Sequence, residues 1–299
     1  MIVITVGKSY IDIDGYASSI AYRELLKLRG IESKFVSKAT LNYSITNTLL
    51  QMPFSIDEYE VKEEDKFIIL DISNREFFPE FVEESNIIEI IDHHPGNEDY
   101  WKNKHNVKIE EIGSVATIIF EKYVEYNMLS KMDKGVAKLL MAAILDNTLN
   151  FTAKITKQRD IDAYNELEEI TGEYDFVSNY FSESENTIVG DLERAITGDI
   201  KRQKTNDYLP EVIGQLTIWD INKVLDKDYA IRNIMNTYDN KWIINIISLK
   251  DNKSYILCSD NDIRDNLNHI FKAETYESML VLEPAKLRKE IIKFVLNAN

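Results

Sequence analysis

Five aspartates in this chain fall where strands or helices should end, and one of them is followed by two histidines. Asp12 and Asp14 lie in the run Gly7-Lys8-Ser9-Tyr10-Ile11-Asp12-Ile13-Asp14-Gly15, between an apolar segment and a helical pattern. Two carboxylates so close in a loop can converge on a hard or borderline cation. They can equally be the cap and first-turn acids that favour the positive end of a helix. Asp71 ends the apolar run Phe67–Leu70, and alone it reads as a turn residue. The run Asp92-His93-His94-Pro95 is more specific, because an acid and two imidazoles make a poor strand but good metal ligands. These adjacent positions hold two of the four histidines, and the other two, His105 and His269, lie in polar surroundings and read as surface residues. Asp146 closes the apolar run Leu139–Leu145. An acid at a helix C-terminus opposes the helix dipole, and a cation would supply the reason for its presence.

The elements that must position these residues follow from periodicity. Ile2 to Val6 is a strand-like run ending at Gly7, and 17–28 has helical spacing that closes at Gly30. Residues 33–37, 67–70 and 87–91 add short strand-like segments. Apolar strands separated by helices predict a mostly parallel sheet covered on both faces, with ligands held beyond the carboxyl ends of its strands. Gly7, Asp71 and Asp92 all fall at those ends. Helices are expected near 114–126, 134–145 and 157–171. The polar stretch Phe181 to Thr187 shows no periodicity, so a linker is expected at about 183–190, between domains at 1–186 and 191–299. The second, smaller α/β domain has strand patterns at 212–220, 242–249 and 254–258, with helical patterns at 191–197, 263–271 and 285–295.

The charge restricts the partners. With 51 Asp and Glu against 35 Lys and Arg, the 299 residues carry a formal charge of −16. That argues against sequence-independent binding of duplex nucleic acid and against adhesion to an anionic membrane. An anionic ligand stays possible where local cations or a bound metal reverse the sign. One cysteine, Cys258, leaves no internal disulfide. The apolar start lacks a basic region before it and reads as a first strand, and no apolar run approaches the roughly 20 residues that span a bilayer. A cytoplasmic protein is expected.

In order along the chain, Asp12/Asp14, Asp71, Asp92-His93-His94, Gly113-Ser114-Val115-Ala116-Thr117 and Asp146 in Ile-Leu-Asp-Asn-Thr resemble the DHH phosphoesterase superfamily. Farther on, Asp199-Ile200-Lys201, Gly214-Gln215 leading to Asp220, and Leu287-Arg288-Lys289 resemble the C-terminal domain shared by family II (manganese-dependent) inorganic pyrophosphatases and cytosolic exopolyphosphatases. The resemblance implies an α/β fold, a DHH domain plus a smaller C-terminal domain with the active site in the cleft between them. It implies one or two Mn2+ or Mg2+ ions, with Asp71 bridging, Asp14, His93 and Asp146 on one ion and Asp12 on the other. Asp92 would orient His93, and His94 would donate to a substrate phosphate, with Ser114 close by. Lys201, Arg288 and Lys289 would neutralise the remaining phosphates.

One position departs from the pyrophosphatase pattern: Lys8 stands where those proteins carry a metal-ligating histidine. A protonated lysine cannot ligate. It can stand in for the charge of one metal, or leave that ion weakly held. The exopolyphosphatase branch also lacks the histidine, which tilts the expected small anionic phosphate substrate toward longer chains. Two alternatives stay open: a phosphodiesterase acting on short oligonucleotides or cyclic dinucleotides, and a phosphate-chain-binding regulator with impaired turnover. A monomer or a homodimer fits equally.

Overall fold

In the computed structural model, which describes residues 1–102, 106–203, 205, 206 and 208–297, the short apolar runs near the start of the chain are strands. His105 lies outside the described residues. The chain divides into two compact units, one of residues 1–151 and 155–177, the other of residues 152–154 and 178–299.

The first unit is built on β1 (Ile2–Thr5), β3 (Ser33–Phe35), β5 (Lys66–Leu70), β6 (Ile87–Asp92) and β7 (Val107–Ile109), in the order β3-β1-β5-β6-β7. Every pairing is parallel, as expected. Val3, Ile4, Ile69, Leu70, Ile90 and Ile91 are fully buried. Neighbours along a strand face opposite ways, so burial of both members of each pair means that the sheet is covered on both faces. Helices α1 (Ile13–Leu28), α4 (Val115–Glu125), α5 (Lys134–Asn147) and α6 (Gln158–Thr171) pack together, with α1 and α4 against the strands. Val3, Phe67, Ile69 and Ile90 pack instead with Phe78 and Trp101, the last on the short α3 (Glu98–Trp101). A pair of two-residue strands, β2 (Tyr10–Ile11) and β4 (Thr40–Leu41), and a short α2 (Asn47–Leu50) complete the unit.

Helix α1 starts four residues before its apolar pattern, because Asp12 caps it by accepting from the Gly15 amide at 3.1 Å. Beyond α5 the chain makes a left-handed turn: Leu149, Asn150 and Phe151 have φ of 51°, 53° and 65°. Three such residues in a row cost about 1–2 kcal/mol each. The α5 carbonyls hold the turn, with Asp146 accepting from the Leu149 amide and Leu145 from the Asn150 amide. The turn therefore fixes the helix end that carries Asp146.

The expected linker at 183–190 is not irregular: it is the second half of α7 (Phe176–Gly190). Phe176, Tyr180, Ser184 and Ile188 are buried at a spacing of four, with Phe181 and Glu185 beside them. The helical stripe is hidden in the sequence because Ser184 and Glu185 occupy buried positions, where the Glu185 carboxylate accepts from the Asp220 amide at 2.7 Å.

The second unit holds a six-stranded mixed sheet in the order β12-β13-β11-β10-β9-β8. Its strands are β8 (Ile200–Arg202), β9 (Val212–Ile218), β10 (Trp242–Ser248), β11 (Lys253–Cys258), β12 (Glu274–Tyr276) and β13 (Met279–Leu282). Only β9 and β10 run parallel. Helices α8 (Leu192–Thr197), α9 (Asp228–Met235), α10 (Asn261–Phe271) and α11 (Arg288–Asn297) accompany it. Among the described residues, no helix is long and apolar enough to cross a membrane.

Candidate metal centre

Strands β5 and β6 run side by side, with Leu70 opposite Ile91, so the residues at their carboxyl ends meet. Asp71 follows β5 directly, and its amide donates to the Ile91 carbonyl at 2.9 Å. Its φ of 59° is left-handed, a conformation that costs a non-glycine residue about 1–2 kcal/mol and concentrates at functional sites. Asp92 ends β6 and is fully buried. One of its oxygens, Oδ1, accepts from the His93 amide at 2.8 Å, the His94 amide at 3.1 Å and the His94 Nδ1 at 2.8 Å. Burial alone would raise the Asp92 carboxyl, but His94 beside it, then His93 and Ser73, pull it down to about 2.

This corrects the expected role of Asp92. Its carboxylate orients the ring of His94, two residues on, and not that of His93. Residues two apart in an extended chain project to the same side, whereas neighbours diverge. The His93 ring turns the other way, and its Nδ1 meets the Ile112 carbonyl at 3.1 Å. A carbonyl only accepts, so the proton belongs on Nδ1 and Nε2 carries a lone pair. That Nε2 lies 3.5 Å from Asp71 Oδ1 and 4.0 Å from Asp14 Oδ2. Each of Asp71, His93 and His94 offers a ligand atom within 4.8 Å of the others.

Asp14, in the first turn of α1, is fully buried. Its Oδ1 accepts from Ser114 Oγ at 2.8 Å and the Ala116 amide at 2.9 Å, and its Oδ2 from the Val115 amide at 2.9 Å. The N-terminus of α4 thus grips it, with Ser114 as both cap and donor. Burial, with the charge of Asp12, pushes its carboxyl up to about 7, against the pull of Ser114, Val115 and Ala116. A carboxyl that burial keeps from ionising alone is one that a cation would ionise. Asp12 caps α1, yet it also faces the site: a methyl placed on Gly15 would lie 3.6 Å from Asp12 Oδ1 and 3.5 Å from Asp71 Oδ2. Asp12 is thus a helix cap whose carboxylate also lies toward that of Asp71.

The donor set of carboxylates and an imidazole fits manganese or magnesium, the carboxylates suiting either and the imidazole favouring the softer ion. Asp146 sits half-buried in the last turn of α5, outside the converging group of Asp71, His93 and His94. Lys8 is exposed, and its amide donates to the Phe77 carbonyl at 2.9 Å, which ties the loop after β1 to the segment after Asp71.

In the second unit the expected phosphate contacts part company. Lys201 is exposed on β8, and Lys289 is half-buried in the first turn of α11. Arg288 is only 7% exposed. Its guanidinium donates to Asp199 Oδ1 at 2.6 Å, the Asp199 carbonyl at 2.7 Å and the Ile213 carbonyl at 3.3 Å. The side chain ties β9 and the residue before β8 to α11, with its charge facing Asp199.

Residues 2–144 match the DHH family, N-terminal domain. The first unit carries a DHH domain. The manganese-dependent inorganic pyrophosphatase of Bacillus subtilis (strain 168) is 28% identical over 174 residues, which are 57% of this chain and 55% of that protein. The matched stretch spans about half the length of such curated relatives. A Methanococcus jannaschii structure, solved as a candidate family II inorganic pyrophosphatase, superposes with a TM-score of 0.74 at 21% identity, covering 100% of this chain and 99% of that one. An exopolyphosphatase-related protein from Bacteroides fragilis gives a TM-score of 0.52 at 18% identity, covering 99% and 91%. Both likenesses concern the fold.

Within the DHH domain, two participants escape a reading of the sequence. The Ile112 carbonyl is a backbone group, so no residue type announces it. Asp160 reads as one more acid on an acidic helix, yet it is fully buried and bonds the Gly113 amide at 3.0 Å.

Proposed function

We propose that this protein is a metal-dependent hydrolase of phosphoanhydrides, releasing phosphate from short polyphosphate or pyrophosphate. The observation that carries the reading is the meeting of Asp71, His93 and Asp14 behind the strand ends, with the His93 proton held on Nδ1 by the Ile112 carbonyl. A manganese or magnesium ion bound there would acidify a coordinated water and withdraw charge from the phosphoryl group. Asp12, Asp14, Asp71, His93 and Asp146 are the residues assigned to hold one or two such ions. Asp71, strained and with Oδ1 3.5 Å from His93 Nε2, is assigned the shared position.

The remaining residues handle the substrate. His94 has its Nδ1 committed to Asp92, which leaves Nε2 as the ring nitrogen that would donate to a phosphate oxygen. Its side chain is 35% exposed, so a ligand can reach it. Lys201 and Lys289 are assigned to neutralise the outer phosphates, and Lys8 contributes positive charge beside the metal. Because a lysine there adds charge without ligating, tripolyphosphate is favoured over pyrophosphate. The named relatives, among them a manganese-dependent inorganic pyrophosphatase and an exopolyphosphatase-related protein, support this chemical class.

The test is phosphate release from tripolyphosphate and pyrophosphate with Mn2+ or Mg2+, for the wild type and Asp71→Ala. Release with the metal, lost by at least about 10³-fold in the variant, is the expected result. Normal release from Asp71→Ala would sink the mechanism. Cleavage of a dinucleotide in preference to tripolyphosphate would move the substrate to the phosphodiester class.

A further inference from the structure

Two side chains of the proposed metal centre are held from behind by one short turn. Ile112 supplies the carbonyl that fixes the His93 tautomer, and Ser114, Val115 and Ala116 supply the donors that hold Asp14. Gly113 lies between them and also touches the end of α5. A methyl on Gly113 would sit 2.6 Å from Thr148 Cγ2, two residues beyond Asp146. The position of this turn thus decides where His93 and Asp14 lie, and it abuts the helix end that carries Asp146.

What holds the turn itself is Asp160 on α6. It is fully buried, and its Oδ2 accepts from the Gly113 amide at 3.0 Å and the Lys157 amide at 2.8 Å. Its Oδ1 accepts from Thr117 Oγ1 at 2.6 Å, one turn into α4. A methyl on Gly113 would also meet Asp160 Oδ2 at 2.6 Å, so the approach is possible only because residue 113 has no side chain. Two bonds on either side of Ser114 leave α4 little freedom to slide away from Asp14.

We infer that Asp160 is a positioning residue for the metal centre: it locks the 112–117 turn, and through that turn sets Asp14 and His93 for the ion. It touches neither ion nor substrate. The inference rests on the proposed metal reading. Groups that orient metal ligands typically change metal affinity by about 10–100-fold when removed.

Manganese affinity, measured by titration of the metal-free protein with Mn2+ alone, tests it. Asp160→Ala is expected to weaken binding by about 10-fold or more. Asp160→Asn should restore most of it, since the amide oxygen can still accept from Gly113 and Lys157 while its NH2 donates to the Thr117 hydroxyl. Thr171→Val is the control for a buried hydroxyl bond at the other end of α6. Thr171 is buried and its Oγ1 donates to the Glu168 carbonyl at 3.0 Å, and its loss should leave Mn2+ affinity within about twofold of wild type. If Asp160→Ala shows no cooperative melt, Thr117→Val decides the matter with an expected loss of about threefold or more. A folded Asp160→Ala that binds Mn2+ like wild type, or a Thr171→Val that weakens it equally, overturns the inference while the metal reading stands. A wild type with no saturable Mn2+ binding overturns both.

Discussion

Gly15 shows how a single residue can serve stability and chemistry in opposite directions. It lies inside α1 with ordinary helical geometry, where alanine would be worth about 0.5–1 kcal/mol more to the helix. A methyl there, however, would stand 3.2 Å from Val6 Cγ1 and within 3.6 Å of carboxylate oxygens from Asp12 and Asp71. The contact with Val6 is tight but yields to a shift of a few tenths of an ångström. The two carboxylates are at ordinary van der Waals distance, so the methyl would not push them but would fill the space beside them that a ligand of the proposed ion would need. Gly15→Ala is therefore expected to melt within about 1 kcal/mol of wild type while losing roughly tenfold in Mn2+ affinity. Thermal melting and Mn2+ titration on one preparation check both halves. Unchanged affinity would mean that the space above Gly15 is not part of the metal site.

At the scale of elements, the parallel sheet was legible because its strands are short apolar runs that stop at charged residues. Asp71 and Asp92 mark those stops, and the structure sets them side by side. Helix α7 was not legible, because its buried stripe passes through Ser184 and Glu185, so burial and hydrophobicity disagree there. The site was half legible: residue types named the carboxylates and imidazoles, but His93's partner is a carbonyl, and Arg288 turned out to be paired with Asp199. Sequence gives the charge of an arginine but not the side of the strand on which its partner lies. A similar charged device joins edge strand β7 to α4 and α6. Arg159 on α6 donates to both oxygens of Glu121 at 2.6 Å and to those of Glu110 at 3.2 and 2.9 Å, with Lys108 3.1 Å from Glu110. Burial raises the Glu110 carboxyl, but the bonds from Arg159 and Lys108 win and hold it below its ordinary value. A depressed carboxylate stabilises the fold above its unfolded pKa and loses that contribution as pH falls through the folded one. Arg159→Gln should then cost about 1 kcal/mol at pH 7, discounted for solvent exposure, and almost nothing near pH 3. Urea melts at the two pH values measure the difference, and a gap that persists in acid would show that Arg159 acts by packing.

For the whole molecule the charge of −16 sets the terms on which a polyanion can approach. Four acids, Asp12, Asp14, Asp71 and Asp92, lie in or beside the proposed site; burial pushes Asp14 up to about 7 and Asp92 is paired with His94, and a phosphate chain would meet the remaining carboxylates as like charges. At 4 Å such a repulsion is about 4 kcal/mol per pair near a protein surface, more than an exposed lysine returns by attraction at longer range. Lys8 therefore cannot by itself reverse the sign. Two divalent ions add +4 where the carboxylates converge, and one adds +2. The metal should thus be required for the substrate to bind, and not only for it to react. Protein stripped with a chelator is expected to give no heat on titration with tripolyphosphate, and one equivalent or two of Mn2+ should restore it. The equivalents needed also count the ions that the site holds with a lysine at position 8. Tight binding of tripolyphosphate to the stripped protein would mean that basic residues recruit the substrate without metal, and the acidic surface would then be no barrier to it.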